Sequence, residues 1–346
     1  MKTLIAGLGS VGRRHLRNLI ALGEKDIILL RSHYATLPDD ELAGYPVETN
    51  VQQALNKHNP DAVIVANPTA LHMDVAIPAA QAGCHILLEK PIANSLDRVH
   101  ELQEAAQKSG SRILVGFQFR YHPTLNKARE LIQAGALGQV LTVHAHWGEY
   151  LPNWHPWEDY RQSYAARSDL GGGVIITLMH PLDYLRVIIG EVNALWSFNG
   201  HLSPIEVAVE DVAEIGLKFA NGAVGGVHLN YVQRPPVHRM EIVGTKGTLR
   251  WDNADGFLHF HKMPAPFGSY SDNPPAPIME SFSPPEGFER NQLFVAQTRH
   301  FLETVRGETE PVCSLDDGIR ALEIALAAIE SQSTSMIWIS KKGWIK

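Results

Sequence analysis

The chain of 346 residues is poor in sulfur, with only two cysteines, Cys84 and Cys313. Two cysteines cannot build a disulfide framework, so no stapled extracellular scaffold is expected and a cytoplasmic, reducing compartment is. Both read as small buried apolar side chains rather than nucleophiles or metal ligands. Cationic runs are scarce too. Lys and Arg number 30 against 37 Asp and Glu, a net charge of −7. The pair Arg13-Arg14 is far short of a stripe for a phosphate backbone, which excludes a nucleic-acid partner. No window approaches the roughly 18 uninterrupted apolar residues of a membrane span. The apolar run in Met1–Gly7 is too short for a signal-peptide core, so neither a membrane partner nor a leader is expected.

What is present is an ordinary globular composition, 45% hydrophobic and 19% charged, on a chain long enough for two domains. Short, continuous apolar runs at residues 2–6, 26–30, 61–66, 84–88 and 112–116 alternate with helical patterns. Continuous apolar strands need cover on both faces, which a parallel sheet between helices provides. The rhythm then changes. After a helix at about 124–134, strand patterns follow at 140–147, 193–198, 212–219, 223–231, 239–243 and 248–251. Asn221-Gly222 and Lys246-Gly247 supply hairpin turns between neighbours. One long apolar helix over 173–189 interrupts them, a Pro-rich stretch from 263 to 285 reads as surface loop, and helices near 291–305 and 316–331 close the chain. The expected class is α/β: an N-terminal Rossmann domain, 1–120, and a C-terminal α+β domain on a largely antiparallel open sheet, 121–346.

Gly7-x-Gly9-x-x-Gly12, with Ser10 and Val11 inside it, follows the first strand and opens a helix. That context makes it a dinucleotide fingerprint: Gly7 for the tight turn, Gly9 for approach of the pyrophosphate, Gly12 for helix–strand contact. The N–H groups at the helix start then face the phosphates. The end of the second strand reads Leu29-Leu30-Arg31-Ser32, without the acid that holds an NAD ribose. Arg31 and Ser32 suit the 2′-phosphate of NADP, against the plainer reading of a solvated loop arginine; NAD(P) is expected, with NADP slightly favoured.

Glu89-Lys90-Pro91 ends the fourth strand pattern, at the carboxyl edge where open α/β sheets bind ligands. Lys90 there can hydrogen-bond a substrate hydroxyl and ease its deprotonation. On the long helix His180 and Asp183 are three residues apart, a carboxylate beside an imidazole on one face, which suits proton transfer. A histidine on an apolar face is more often a core residue, and spacing alone does not choose. The stretch Trp147 to Arg161 is dense in aromatic and polar groups, among them Tyr150, Trp154, Tyr160 and Arg161; it fits a carbohydrate pocket or an aromatic-anchored loop. His144 and His146 alternate on one strand face and could hold a metal with His180. No third ligand is fixed and hydride transfer needs none, so no metal is expected.

With these residues together, the chain resembles the Gfo/Idh/MocA oxidoreductases over essentially its whole length. The resemblance rests on Gly7–Gly12 with Arg13-Arg14-His15, Asn67-Pro68-Thr69-x-x-His72, Glu89-Lys90-Pro91, Gly116-Phe117-x-x-Arg120-Tyr121 and the segment 171–183. It implies hydride transfer between NAD(P) and a secondary hydroxyl of a sugar, sugar nucleotide or cyclitol. It also implies Lys90 as a catalytic or substrate-orienting lysine, His180 as the residue exchanging the hydroxyl proton, and Asn67, Pro68, Thr69, His72 and Glu89 along the cofactor; either Asp183 or another acid serves with them, or Lys90 and His180 act alone. Arg120 and Thr177 fall on the substrate side, and a homodimer or homotetramer through the C-terminal sheet is implied. One departure stands out: many relatives carry an aspartate three or four residues before the histidine, where this chain has Ile176-Thr177. A glycoside hydrolase that keeps its NAD, or a non-catalytic cofactor-binding sensor, therefore stays open beside the dehydrogenase.

Overall fold

A computed structural model describes residues 1–32, 37–273, 275–331, 337–340 and 343–345. The chain forms two compact units: Met1–Gln118 with Ser168–Gly172 and Glu289–Leu322, and Phe119–Arg167 with Gly173–Phe288 and Glu323–Lys346.

The first unit is built on a six-stranded sheet of β1 (Lys2–Ala6), β2 (Asp26–Leu30), β3 (Val47–Glu48), β4 (Ala62–Val65), β5 (His85–Leu88) and β6 (Ile113–Val115). Its order is β3-β2-β1-β4-β5-β6 and all its pairs are parallel. Helices α1 (Ser10–Ala21), α2 (Val51–His58), α3 (His72–Gln81) and α4 (Val99–Ser109) connect the strands. This is the expected Rossmann arrangement, and β1, β4 and β5 are almost wholly buried, as their apolar runs require. The two-residue edge strand β3 escapes sequence reading because it is too short for any period, with Val47 exposed.

The second unit carries a ten-stranded sheet. After α5 (Pro123–Gln133) come β7 (Val140–Tyr150), α6 (Val174–Thr177), α7 (His180–Ile189), β8 (Val192–Gly200), β9 (Val212–Phe219), β10 (Val224–Asn230), β11 (Val232–Gly244), β12 (Gly247–Asp252), β13 (Leu258–Lys262) and β14 (Ile278–Phe282). β15 (Ile337–Ser340) and β16 (Gly343–Ile345) extend the sheet beyond β8. All pairs are antiparallel except β7 with β10, so the sheet is largely antiparallel as expected.

Two expectations are corrected here. The helix expected over 173–189 is two helices, broken at Leu178 and Met179. Pro181 is the cause: in a continuous helix its ring would meet the carbonyl of Thr177, but in the first turn of a new helix it is tolerated. The Pro-rich stretch is not all loop, since β14 within it pairs with β13. The helices α8 (Asn291–Arg306) and α9 (Leu315–Glu330) follow. α8 belongs to the first unit, where Phe294 lies 4.4 Å beneath the Arg14 guanidinium. Among the described residues no single helix is long and apolar enough to cross a membrane.

Candidate functional site

In the first unit the three glycines of the loop after β1 have different reasons to be glycine. Gly7 has φ +90°, and a Cβ there would stand 2.4 Å from the backbone nitrogen of Asn67. At Gly12 a Cβ would stand 1.8 Å from the carbonyl oxygen of Gly7. The protein's own packing demands both. Gly9 has extended backbone, and no described atom lies within 4 Å of its missing Cβ. No described packing asks for glycine there, and the open backbone leaves room for a ligand to approach. Gly9 caps α1 with no described side chain on the first N–H groups and no acid in the first turn. An uncapped helix start beside a smooth backbone fits a pyrophosphate. The residues present therefore fit a dinucleotide.

Around that loop the remaining expected cofactor residues come together. Asn67 donates Nδ2 to Leu71 O (2.9 Å), while its Oδ1 is buried and unpartnered among the described residues. Thr69 is buried at the turn that follows. His72 lies with Nδ1 2.9 Å from Pro91 O and Nε2 2.9 Å from Asn67 O, tying the Asn67–Pro68 turn to the cis Lys90–Pro91 peptide. Burial pushes the His72 pKa down, against the pull of those carbonyls and of Glu89. Glu89 is buried, which pushes its carboxyl up. His15, with Nε2 2.8 Å from Oε1, and the charges of Lys90 and His72 more than offset this, and the carboxyl is held below its usual range. Gly116 completes the seat, since a Cβ there would stand 2.8 Å from Glu89 Oε2. Arg31 is buried at the end of β2 and paired with Asp39, with Ser32 beside it.

In the second unit His180 is the first residue of α7 and is buried. Its ring stacks on Trp147 of β7, 5.4 Å between centroids and 24° from parallel, and meets Phe119 edge-on at 5.0 Å. Trp147 also stacks on His238, 4.2 Å away and 6° from parallel, and its indole N–H donates to Glu149 Oε1 at 2.8 Å. Asp183 keeps its place on α7 three residues after His180, but its carboxylate is gripped by Arg120. Nε donates to Oδ2 at 3.0 Å and Nη2 to Oδ1 at 2.7 Å, with both side chains buried. The pair sets Asp183 and Arg120 together. Thr177 is buried one helix earlier, and the wholly buried Tyr231 donates its hydroxyl to Ala165 O at 3.3 Å.

The aromatic loop divides. Tyr150 carries the Arg234 guanidinium 4.4 Å over its ring, and Trp154 packs edge-on against Tyr231 at 5.6 Å. Tyr160 accepts the Glu206 N–H through its hydroxyl, and exposed Arg161 is paired with Asp159 and Glu206. Arg161 is tied to surface acids and Tyr160 to the Glu206 backbone, whereas Arg120, Thr177, His180 and Asp183 are buried. His146 meets His228, 4.7 Å between ring centroids. Among the described residues no three His, Cys, Asp or Glu side chains form a group that could hold a metal.

Glu210 is a residue that sequence reading missed. It immediately precedes Asp211, and its carboxyl sits at the start of α6, where Oε1 accepts the Ile175 N–H at 3.1 Å. A Cβ at Gly173 would stand 2.5 Å from the same oxygen. Burial pushes the Glu210 carboxyl up to about 7. The pairing of Val174 N with Glu210 O also joins these segments, and no local pattern announces it.

Residues 1–117 match the model of the oxidoreductase family with an NAD-binding Rossmann fold, and residues 125–250 match the GFO/IDH/MocA C-terminal domain. The scyllo-inositol 2-dehydrogenase (NAD(+)) of Bacillus subtilis (strain 168) is 26% identical over 347 residues, 97% of this chain and 95% of that protein. Levoglucosan dehydrogenase of Pseudarthrobacter phenanthrenivorans is 30% identical over 217 residues, 54% of each. A solved levoglucosan dehydrogenase in complex with NADH and levoglucosan is similar in fold, with TM-score 0.83 at 20% identity over 99% of this chain and 100% of that one.

Proposed function

Because this chain belongs to the GFO/IDH/MocA oxidoreductases and carries their NAD-binding Rossmann fold, we propose that it reversibly oxidises a secondary hydroxyl of a sugar, sugar nucleotide or cyclitol. The observation that carries this reading is the uncapped start of α1 at Gly9, where the open backbone fits a bound dinucleotide. The relatives named above act on an anhydrosugar and on a cyclitol by their names, which gives the substrate class.

The nicotinamide, when bound, supplies the hydride acceptor. His180 accepts the hydroxyl proton on a ring nitrogen, and Lys90 steadies the negative charge that develops on that oxygen. Asp183 acts through Arg120, the two fixing the first turn of α7 and with it the His180 ring. Thr177, Tyr150, Trp154 and Tyr160 are assigned to the substrate, and Arg120 and Arg161 to it and to the acids they pair with. Gly7, Gly9, Ser10, Val11, Gly12, Asn67, Pro68, Thr69, His72 and Glu89 serve the cofactor. Arg31 and Ser32 lie where its 2′ position is read.

The test is nicotinamide absorbance in the presence of NAD and a panel of anhydrosugars, sugar nucleotides and cyclitols. Reduction with one substrate group supports the dehydrogenase. Substrate cleavage without net reduction would instead mean the NAD-retaining hydrolase, and binding without turnover the sensor. We further propose a homodimer or homotetramer through the outer face of the second sheet. Support comes from a groove of about 620 Å³ there, lined by His144, His146, Glu214, His228, Arg239 and Arg250, and from exposed Trp196 and Phe198 on β8. With Cys84 and Cys313 both buried thiols, a cytoplasmic setting is the matching proposal.

A further inference from the structure

Where β2 ends, three charged side chains meet. Arg31, the next residue, is buried and places Nη1 2.9 Å from Asp39 Oδ1. Arg13, in the first turn of α1 and buried as well, places Nη2 3.7 Å from the same oxygen. The rest of the Arg13 fork is committed to backbone: Nε donates to Leu8 O at 2.9 Å, inside the glycine loop, and Nη2 to Leu37 O at 3.1 Å. Arg13 thus ties the glycine loop to the segment that carries Asp39. The Asp39 side chain itself is 61% exposed, while those of Arg31 and Arg13 are 7% and 3% exposed.

The space between a glycine loop and the end of the second strand is where a dinucleotide fold reads the adenosine ribose. A carboxylate there accepts the 2′-OH of NAD, and an arginine accommodates the 2′-phosphate of NADP. Read along the chain, Arg31-Ser32 offers only the arginine. In three dimensions the arginine is already covered by a carboxylate nine residues away from β2 in sequence. We propose that Asp39, held on Arg31 and Arg13, is the residue that selects NAD over NADP in this chain. Resting on the dinucleotide reading above, it gives that reading its cofactor.

The exposed edge of the Asp39 carboxylate accepts a ribose hydroxyl, while its inner edge stays on the arginines. A 2′-phosphate brings a charge of about −1.5 to −2 and three acceptor oxygens. To reach the same guanidinium groups it must first displace Asp39, and until then it faces a like charge. NAD needs no displacement. Exposed ion pairs are weak, but here both cations are buried, and leaving a buried cation unpaired is costly, so the carboxylate is held in place.

Fluorescence titration with NADH and NADPH tests this on the full chain, for the wild type, Asp39→Asn, Asp39→Ser and the double variant Asp39→Asn/Arg31→Ala. The wild type is expected to bind NADH about tenfold or more tightly than NADPH, the worth of one hydrogen bond to a charged group. Both single variants should narrow that ratio by about tenfold or more, chiefly through gained NADPH affinity, and the double variant should lose the gain. A wild type that binds NADPH as tightly as NADH, or single variants that shift both cofactors equally, would overturn the assignment of Asp39. Failure of the wild type to bind either cofactor would overturn the dinucleotide reading itself, and this proposal with it.

Discussion

The two units bear their candidate sites in opposite ways. The first presents backbone at its glycine loop, a smooth turn at Gly9 and the open N–H groups of α1, along with a few contacts from afar such as His15 with Glu89. The second presents side chains gathered from afar. His180 lies on Trp147, Trp147 on His238, Asp183 on Arg120, and Glu210 at the start of α6. A site of backbone tolerates a wide range of side chains around it and fails only where a Cβ intrudes. A site of packed side chains fails at any partner. The lesson is that a lost function means different things in the two units, and substitutions can separate them.

The largest effect is expected in the glycine loop. Gly9→Val should abolish NADH binding, since its branched side chain enters open space that the pyrophosphate needs, yet leave the melting temperature nearly unchanged. Gly12→Val should cost the fold as well, because even a Cβ would stand 1.8 Å from the Gly7 carbonyl oxygen. Titration with NADH alongside thermal melts would check both. Loss of stability in Gly9→Val would show that the loop, not the ligand, requires this glycine.

Next is His180. If it takes the hydroxyl proton, His180→Asn should lower kcat by about 10²–10⁴-fold, the usual worth of general acid–base catalysis, with NADH affinity intact. A variant with near-normal kcat would reduce His180 to one layer of the stack with Trp147. Steady-state rates and the same titration decide it.

Legibility follows the same division. The Rossmann sheet, the glycine loop and the Glu89-Lys90-Pro91 turn were readable because each is a local pattern with a fixed period or spacing. The break before His180 was readable in principle, since Pro181 disfavours a continuous helix, but the apolar run around it suggested one element. Trp147 stood in plain view in the aromatic stretch. Its partner His238 lies on β11, and nothing local says that β11 pairs with β7. Asp39 and Glu210 were out of reach for the same reason: each acts through a contact that the fold makes and the sequence does not announce.

Asp183 gives a smaller and more discriminating test. The spacing to His180 reads as a catalytic carboxylate, whereas the bidentate grip of Arg120 reads as a buried ion pair that positions α7. Asp183→Asn would take the bidentate carboxylate away from the buried Arg120 guanidinium, and breaking a buried ion pair typically costs about 3–5 kcal/mol. Urea unfolding should therefore show the loss, and Arg120→Met with Asp183→Leu should recover much of it. A variant that keeps full stability and loses only kcat would return Asp183 to direct chemistry.

The smallest expected effect is the pH dependence contributed by Glu210. Its carboxyl is pushed up to about 7 by burial, so the folded chain binds this proton more tightly than the unfolded chain does. Proton uptake favours the state that binds it more tightly. From this group, stability should rise as pH falls through about 7, and the gain should level off near the ordinary carboxyl range. Above pH 7 the ionised group carries the cost of its burial, about 1–3 kcal/mol after allowance for solvent at its exposed edge. Glu210→Gln keeps an acceptor for the Ile175 N–H and removes the titration. The variant should be more stable than wild type at pH 8 and equal to it near pH 5, so that the difference between them closes as pH falls through about 7. Thermal melts across that range would check the slope. If wild type and variant run parallel, Glu210 is ionised at no cost, and the carboxyl at the start of α6 is already neutralised by its surroundings.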